Sequence, residues 1–244
     1  MAGLPRLRSR SHQAELMDGP DLAPGELEAN LRELEWTNRW FGANASLKNA
    51  LRPLLSYRTA RVLDVGTGSG GTFAEVGAWA TSQGAAWTLI GLDRSARNLG
   101  LGRRHEPLPC AADALSLPFA DDSFDAVISL QTLHHLDDAE VVTALQEMVR
   151  VSRHLVVVSD LRRGLIPYLG ARALAATFWR NRLTRHDGPV SVQRAFTSSE
   201  LHQLGRLGGD AFTVKRHGLF RLVLTVECGG APATPVVPES GVLA

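Results

Sequence analysis

Of 244 residues, only two are cysteine, two tyrosine and three methionine. Two widely separated cysteines, Cys110 and Cys228, build no disulfide framework, and no Cys/His ligand spacing surrounds them, so a metal-free chain is expected. Cys110 falls in an expected strand, where a thiol packs as a small apolar group. No apolar run is long enough to span a bilayer, and the N-terminus has no apolar signal-peptide core. No stable membrane insertion and a cytoplasmic location are therefore expected. Charge of one sign is not in excess either: 26 basic against 25 acidic residues give a net +1. That balance lacks the basic footprint of a nucleic-acid binder, and the locally basic Arg6–Arg10 reads as a solvated tail. What remains is a 44% apolar chain with 23 glycines, long enough for one domain with a sizeable core.

Residues 1–24, rich in Arg, Ser, Gly and Pro, are expected to be loosely ordered, and residues 229–244 to form a disordered tail. Residues 25–57 read as a helical cap. Leu27, Leu31, Leu34, Trp36, Trp40 and Phe41 recur at helix-like intervals, Ala43-Asn44 breaks the pattern, and Leu47, Ala50, Leu51 and Leu54 suit a second helix. Over residues 58–228, strands at 62–65, 87–92, 108–112, 125–130 and 155–159 alternate with helices at 71–82, 96–103 and 139–151. This alternation predicts an α/β fold, a Rossmann-like, mostly parallel sheet with helices on both faces. An insert at 161–196 follows, with a helix over 165–182. Thr197 and Glu200 make a capping box for a helix at 198–207. Strands at 212–217 and 219–227, joined at Gly218, complete seven strands, one of them antiparallel.

The most telling segment is Val62-Leu63-Asp64-Val65-Gly66-Thr67-Gly68-Ser69-Gly70-Gly71. A buried-strand run leads into a glycine turn and then a helix. Glycines let backbone approach a ligand closely, and the helix start offers unpaired N–H groups. Gly66, Gly68 and Gly71 satisfy the dinucleotide pattern G-x-G-x-x-G. Asp64, Gly66, Gly68 and Gly70 equally satisfy D-x-G-x-G-x-G. The turn alone leaves both readings open.

Three later features join it. Asp93 ends the second strand, where a carboxylate can accept from ribose hydroxyls. Asp113-Ala114 ends the third and precedes Leu115-Ser116-Leu117-Pro118-Phe119. Phe124-Asp125-Ala126-Val127 opens the fourth. The set resembles the class I S-adenosylmethionine-dependent methyltransferases, near the branch of the ubiquinone- and menaquinone-pathway and natural-product enzymes. The resemblance covers roughly residues 45–228. It implies that Asp64, Thr67 and the backbone of Gly66 and Gly68 hold the amino-acid end of S-adenosyl-L-methionine, with Gly70 giving clearance. It implies Asp93 at the ribose with Leu92 or Arg94 beside the adenine, Asp113 and Ala114 at the adenine, and Leu130 and Gln131 along the methionine chain. One departure stands out. Where the family has Arg-Pro-Gly-Gly before the fifth strand, this chain reads Arg150-Val151-Ser152-Arg153-His154, so that connection must differ.

Methyl transfer from a sulfonium is an in-line displacement that needs alignment and, for a weakly acidic acceptor, a base. His134 and His135 follow the fourth strand and Asp160 ends the fifth. Adjacent strand ends meet at the ligand crevice, so an Asp160–His dyad is expected, with His134 preferred because neighbouring residues do not easily both face a substrate. One histidine capping the next helix is the alternative. His186, in the polar, turn-like Arg185-His186-Asp187-Gly188-Pro189, is a further candidate base at a lid edge. That stretch and Glu15-Leu16-Met17-Asp18-Gly19-Pro20 look like those of methyltransferases associated with type III polyketide synthases, a weaker resemblance. It implies an apolar phenolic or quinone-like small-molecule acceptor from secondary metabolism. Substrate recognition is expected in the cap (Trp36, Asn38, Arg39, Trp40, Phe41) and in the insert, although aromatics at helical spacing more often form plain core. C-methylation of a quinone ring and a dinucleotide-dependent oxidoreductase remain as alternatives. The sequence leaves the oligomeric state open.

Overall fold

The computed structural model describes residues 7–19, 21–102, 109–208 and 212–229. In chain order, helices α1 (Pro24–Trp40) and α2 (Ala43–Ala50) precede β1 (Thr59–Val65), α3 (Gly71–Ser82), β2 (Ala86–Asp93) and α4 (Ala96–Gly102). There follow β3 (Pro109–Ala111), β4 (Phe124–Leu130), α5 (Asp138–Val151), β5 (Ser152–Leu161), α6 (Leu165–Thr177), α7 (Arg182–Arg194), α8 (Ser198–Leu207), β6 (Thr213–His217) and β7 (Arg221–Glu227). The strands lie in the order β3-β2-β1-β4-β5-β7-β6. All neighbours are parallel up to β5, and β7 runs antiparallel to both β5 and β6. The order reverses between β1 and β4, and the crevice outside the carboxyl ends there is where such sheets take ligands.

Alternation along each strand explains why the sheet is covered on both faces. Leu63, Val65, Val127, Val156 and Val158 pack with Leu145 and Met148 of α5 and Leu201 of α8. Their neighbours Val62, Ala126, Ile128, Leu155 and Val157 pack on the opposite side, with Leu47 of α2 and with Phe73 and Val76 of α3. Each large apolar side chain so buried contributes about 1.5–3 kcal/mol. Those two layers hold the strand ends still.

Local signals set the helix limits. The Asp137 carboxylate accepts from Glu140 N at 2.8 Å, while Glu140 accepts from Asp137 N at 2.8 Å, starting α5. The expected Thr197–Glu200 box starts α8 in the same way. In place of a glycine turn, α5 passes directly from Val151 into Ser152 of β5, and the β4–β5 register shifts between Phe124 and Ala126. Arg150 donates to Phe119 O at 2.8 Å and Leu117 O at 3.1 Å, tying the Leu-Pro-Phe segment to this junction.

Several expectations are corrected. The helix foreseen over 165–182 ends at Thr177, and a separate helix α7 starts only at Arg182, because Phe178–Asn181 breaks the run and the Asn181 side chain caps α7 by accepting from Leu183 N at 2.8 Å. Arg185–Pro189 is therefore helix, not a turn. Gly188 is what the packing requires there: a Cβ would lie 2.3 Å from the buried Trp179 ring. The cap breaks at Gly42, with φ +82°, just before the expected Ala43-Asn44. The described part of residues 1–24 is packed rather than loosely ordered. Arg10 donates to Leu136 O at 2.8 Å and Arg194 O at 2.8 Å, and a single 3-10 turn forms at Leu16–Asp18. Residues 1–6, 20 and 230–244 of the two expected disordered segments lie outside the described residues, as do Arg103 and Leu108.

Candidate active site

The glycine turn sits at the end of β1, on the crevice. Gly66, Gly68 and Gly70 have φ of +79°, +62° and +78°, the left-handed region that favours glycine. Gly71 does not, so the D-x-G-x-G-x-G spacing is the one that describes the backbone. Gly66 N and Thr67 N donate to Leu92 O at 2.7 and 3.0 Å, folding the turn onto β2. Asp93 accepts from Gly68 N at 2.9 Å and from Ser95 N at 2.8 Å, so one carboxylate joins the turn to the start of α4. Its burial raises its pKa despite those hydrogen bonds.

A cavity of about 540 Å³ opens from this turn, a size that suits a small-molecule site. Of the cofactor residues expected from sequence, Asp64, Gly66, Thr67, Gly68, Asp93, Arg94, Asp113, Ala114, Leu130 and Gln131 line it. Gly70 is not on the wall; it caps α3 from behind. The fit to S-adenosylmethionine rests on this wall. A Cβ on Gly68 would project into space, with only Leu31 as near as 4.0 Å. That leaves room for a ligand to approach the backbone there. The Asp93 and Asp113 carboxylates lie further along the same wall as hydrogen-bond acceptors.

The expected dyad is present beside this wall. His134 Nδ1 lies 2.7 Å from Asp160 Oδ1, and His134 N donates to Asp160 Oδ2 at 3.1 Å. Both side chains are buried, at 3% and 0% exposure. His134 Nε2 faces Glu15 at 3.5 Å and His135 Nε2 faces the same carboxylate at 3.9 Å. His135 Nδ1 is 3.2 Å from Asp18. Burial alone would lower the His134 pKa, but Asp160 and Glu15 outweigh it and raise it to about 10. Burial likewise opposes ionisation of Asp160 and Glu15, and the imidazole beside them wins and lowers both. Glu15, His134 and His135 bring three potential ligand atoms within 4.8 Å. Arg194, 3.9 Å from Glu15, and a protonated His134 leave that carboxylate serving cations already present.

Two catalytic expectations change. Both neighbouring histidines line the cavity, because the tight turn Leu133–His135 brings their rings to 4.3 Å. His186 does not line it: Nδ1 is 2.7 Å from Asp187, and the side chain points outward from α7. Asp187 instead accepts from Leu16 N at 2.8 Å and Met17 N at 2.9 Å, clamping the N-terminal segment over the site.

Sequence reasoning missed Glu15 and Arg221 as site residues. Glu15 sits in a stretch read as loose, and its only signal was the Glu15–Pro20 resemblance. Asn38, expected as one of the cap residues at the substrate, does line the cavity. Arg221 begins β7, where sequence spacing does not show which end meets the crevice.

A family model described as a methyltransferase domain matches residues 63–156. The demethylmenaquinone methyltransferase of Roseiflexus sp. (strain RS-1) is 39% identical over 97 residues, 38% of each chain. The ubiquinone biosynthesis O-methyltransferase of Brucella ovis is 28% identical over 177 residues, 66% of each chain. The chain thus spans little more than a third of the length of its demethylmenaquinone relatives. Human N-acetylserotonin methyltransferase, in a crystal structure with S-adenosylmethionine, shares the fold with a TM-score of 0.61 at 16% identity, over 86% of this chain and 57% of that one. These matches set aside the dinucleotide oxidoreductase. Sheet order, glycine turn and the methyltransferase-domain match over residues 63–156 together support a class I S-adenosylmethionine-dependent methyltransferase, with S-adenosylmethionine as the cofactor.

Proposed function

We propose that the protein methylates a hydroxyl of a small, largely apolar phenolic or polyketide-like molecule in the cytoplasm, and that His134 receives the acceptor's proton. The observation that carries this reading is the buried His134–Asp160 pair on the wall of the cavity that the glycine turn opens. S-adenosylmethionine supplies an electrophilic methyl group. The chain must bind it, align the acceptor, exclude water and take up a proton. Asp64, the Gly66–Gly68 backbone, Asp93 and Asp113-Ala114 are the groups proposed to bind it. Asp160 keeps Nδ1 protonated and Nε2 directed at the cavity.

In the arrangement observed, Glu15 stabilises the imidazolium and so opposes base catalysis. An acceptor hydroxyl that takes the place of Glu15 at Nε2 removes a negative charge from the ring. The proton affinity of His134 then falls toward the range useful to a general base. The N-terminal segment therefore sets when His134 is a base.

C-methylation of a quinone ring is the second reading, supported by the 39% identity to demethylmenaquinone methyltransferase. Incubation with methyl-labelled S-adenosylmethionine and a panel of alkylresorcinols, naphthols and quinones tests both. Methoxy carbons in the product NMR spectrum support the first, ring methyls the second. Failure to bind S-adenosylhomocysteine in calorimetry defeats both.

A further inference from the structure

Arg221 is a buried cation to which nothing so far gives a role. It is 2% exposed and lies on the cavity wall. With the Gln131 amide oxygen turned toward it, Nη1 and Nη2 each donate to that oxygen at 2.9 Å, and Nη2 donates to Asn38 Oδ1 at 3.3 Å. Nε has no partner. Both partners are neutral amides. Among the described residues no carboxylate forms an ion pair with Arg221, and the nearby Asp160 is committed to His134 and Leu161 N. Burial pulls the guanidinium down to about 10 against the opposing charge of Asp160, so it still carries its charge at neutral pH. Gln131 holds a backbone φ of +54°, a strained conformation for a side-chain-bearing residue. Asp160 acts on this cation only at a distance, so the desolvated guanidinium has no carboxylate hydrogen-bonded to it. Nε is buried without a partner and Nη2 holds one long hydrogen bond to Asn38, so donor capacity is left on the Nε–Nη2 side, the kind of fork that pairs with a carboxylate. Phe41, Leu174 and Phe220 line the same cavity with apolar surface.

We propose that Arg221, flanked by Gln131 and Asn38, seats a carboxylate of the acceptor, which is therefore an aromatic acid rather than a neutral arene. This rests on the methyltransferase reading and names its substrate class. The competing source of the same chemistry is the carboxylate of the cofactor's own methionine.

The test uses calorimetry on the full chain. Wild type and Arg221→Met are first titrated with S-adenosylhomocysteine. The loaded proteins are then titrated with 2,4-dihydroxy-6-methylbenzoate and with 3,5-dihydroxytoluene, the same ring without its carboxylate. Wild type is expected to prefer the acid by about tenfold or more. Arg221→Met is expected to lose that preference and keep its S-adenosylhomocysteine affinity within about twofold. Equal affinity of wild type for the two rings, or binding of neither to loaded protein, overturns the proposal. So does an Arg221→Met protein that loses S-adenosylhomocysteine affinity about tenfold, which assigns the carboxylate to the cofactor. The wild-type comparison needs no variant, so a misfolded Arg221→Met leaves it decisive. Wild type that binds no S-adenosylhomocysteine instead defeats the methyltransferase reading.

Discussion

His134 carries its proton at neutral pH while Glu15 faces it, since its pKa stands at about 10. Replacing it removes the proposed proton acceptor but none of the groups proposed to hold the cofactor. His134→Ala is therefore expected to bind S-adenosylhomocysteine within about twofold of wild type while turnover falls about 10²–10⁴-fold. Calorimetry and a methyl-transfer assay read the two separately, and unchanged turnover excludes His134 as the base. Gly66 is constrained differently. It combines φ +79° with a position where a Cβ would lie 2.1 Å from Thr132 Oγ1. Gly66→Ala should cost about 2 kcal/mol or more in urea unfolding, through backbone strain and the displaced Thr132. Residues of this kind were legible in sequence because each sits at a strand end in a recognisable spacing. Arg221 was not, because its meaning comes from the absence of a carboxylate among residues brought from α1 and β4.

The N-terminal segment behaves as a strap whose anchor is α7. Asp187 holds Leu16 N and Met17 N, Ser191 donates to Glu15 Oε1 at 2.9 Å, and Arg194 donates to Gln13 O at 2.8 Å. Glu15→Gln removes one of the two carboxylates that hold the proton on His134. The His134 midpoint, followed by NMR of the ring protons, should then fall clearly below about 10. An unmoved midpoint shows that Asp160 alone sets it. Asp187→Ala leaves two backbone donors without their acceptor. Amide exchange should quicken at Leu16 and Met17 while β1 and β4 stay protected. Sequence periodicity could not reveal this element. Gly188-Pro189 reads as a turn, and only the Trp179 ring packed against Gly188 shows why the chain stays helical there.

The buried ion pairs also make the stability of the fold depend on pH. His134 is raised above its ordinary 6.5, so its contribution is complete below pH 6.5 and is lost as pH rises through about 10. Asp160 is lowered below its ordinary 3.8, so its contribution is complete above about pH 3.8 and is lost on acidification. As far as this pair governs it, Tm should be highest between about pH 4 and 6.5 and decline on both sides. His134→Asn should flatten the alkaline decline in a calorimetric pH series; an unchanged decline assigns it to other groups. Alternating β-branched runs, the capping boxes and the spaced glycines and aspartates settle the doubly covered sheet, its order of strands and helices, and the cofactor wall. Each is a local pattern with one compact solution. The pairing of Glu15 with His134, the neutral cage around Arg221 and the clamp of α7 on the strap arise from long-range packing. Which charge meets which depends on how α1, α7 and β7 close around the crevice, and no sequence interval carries that distance.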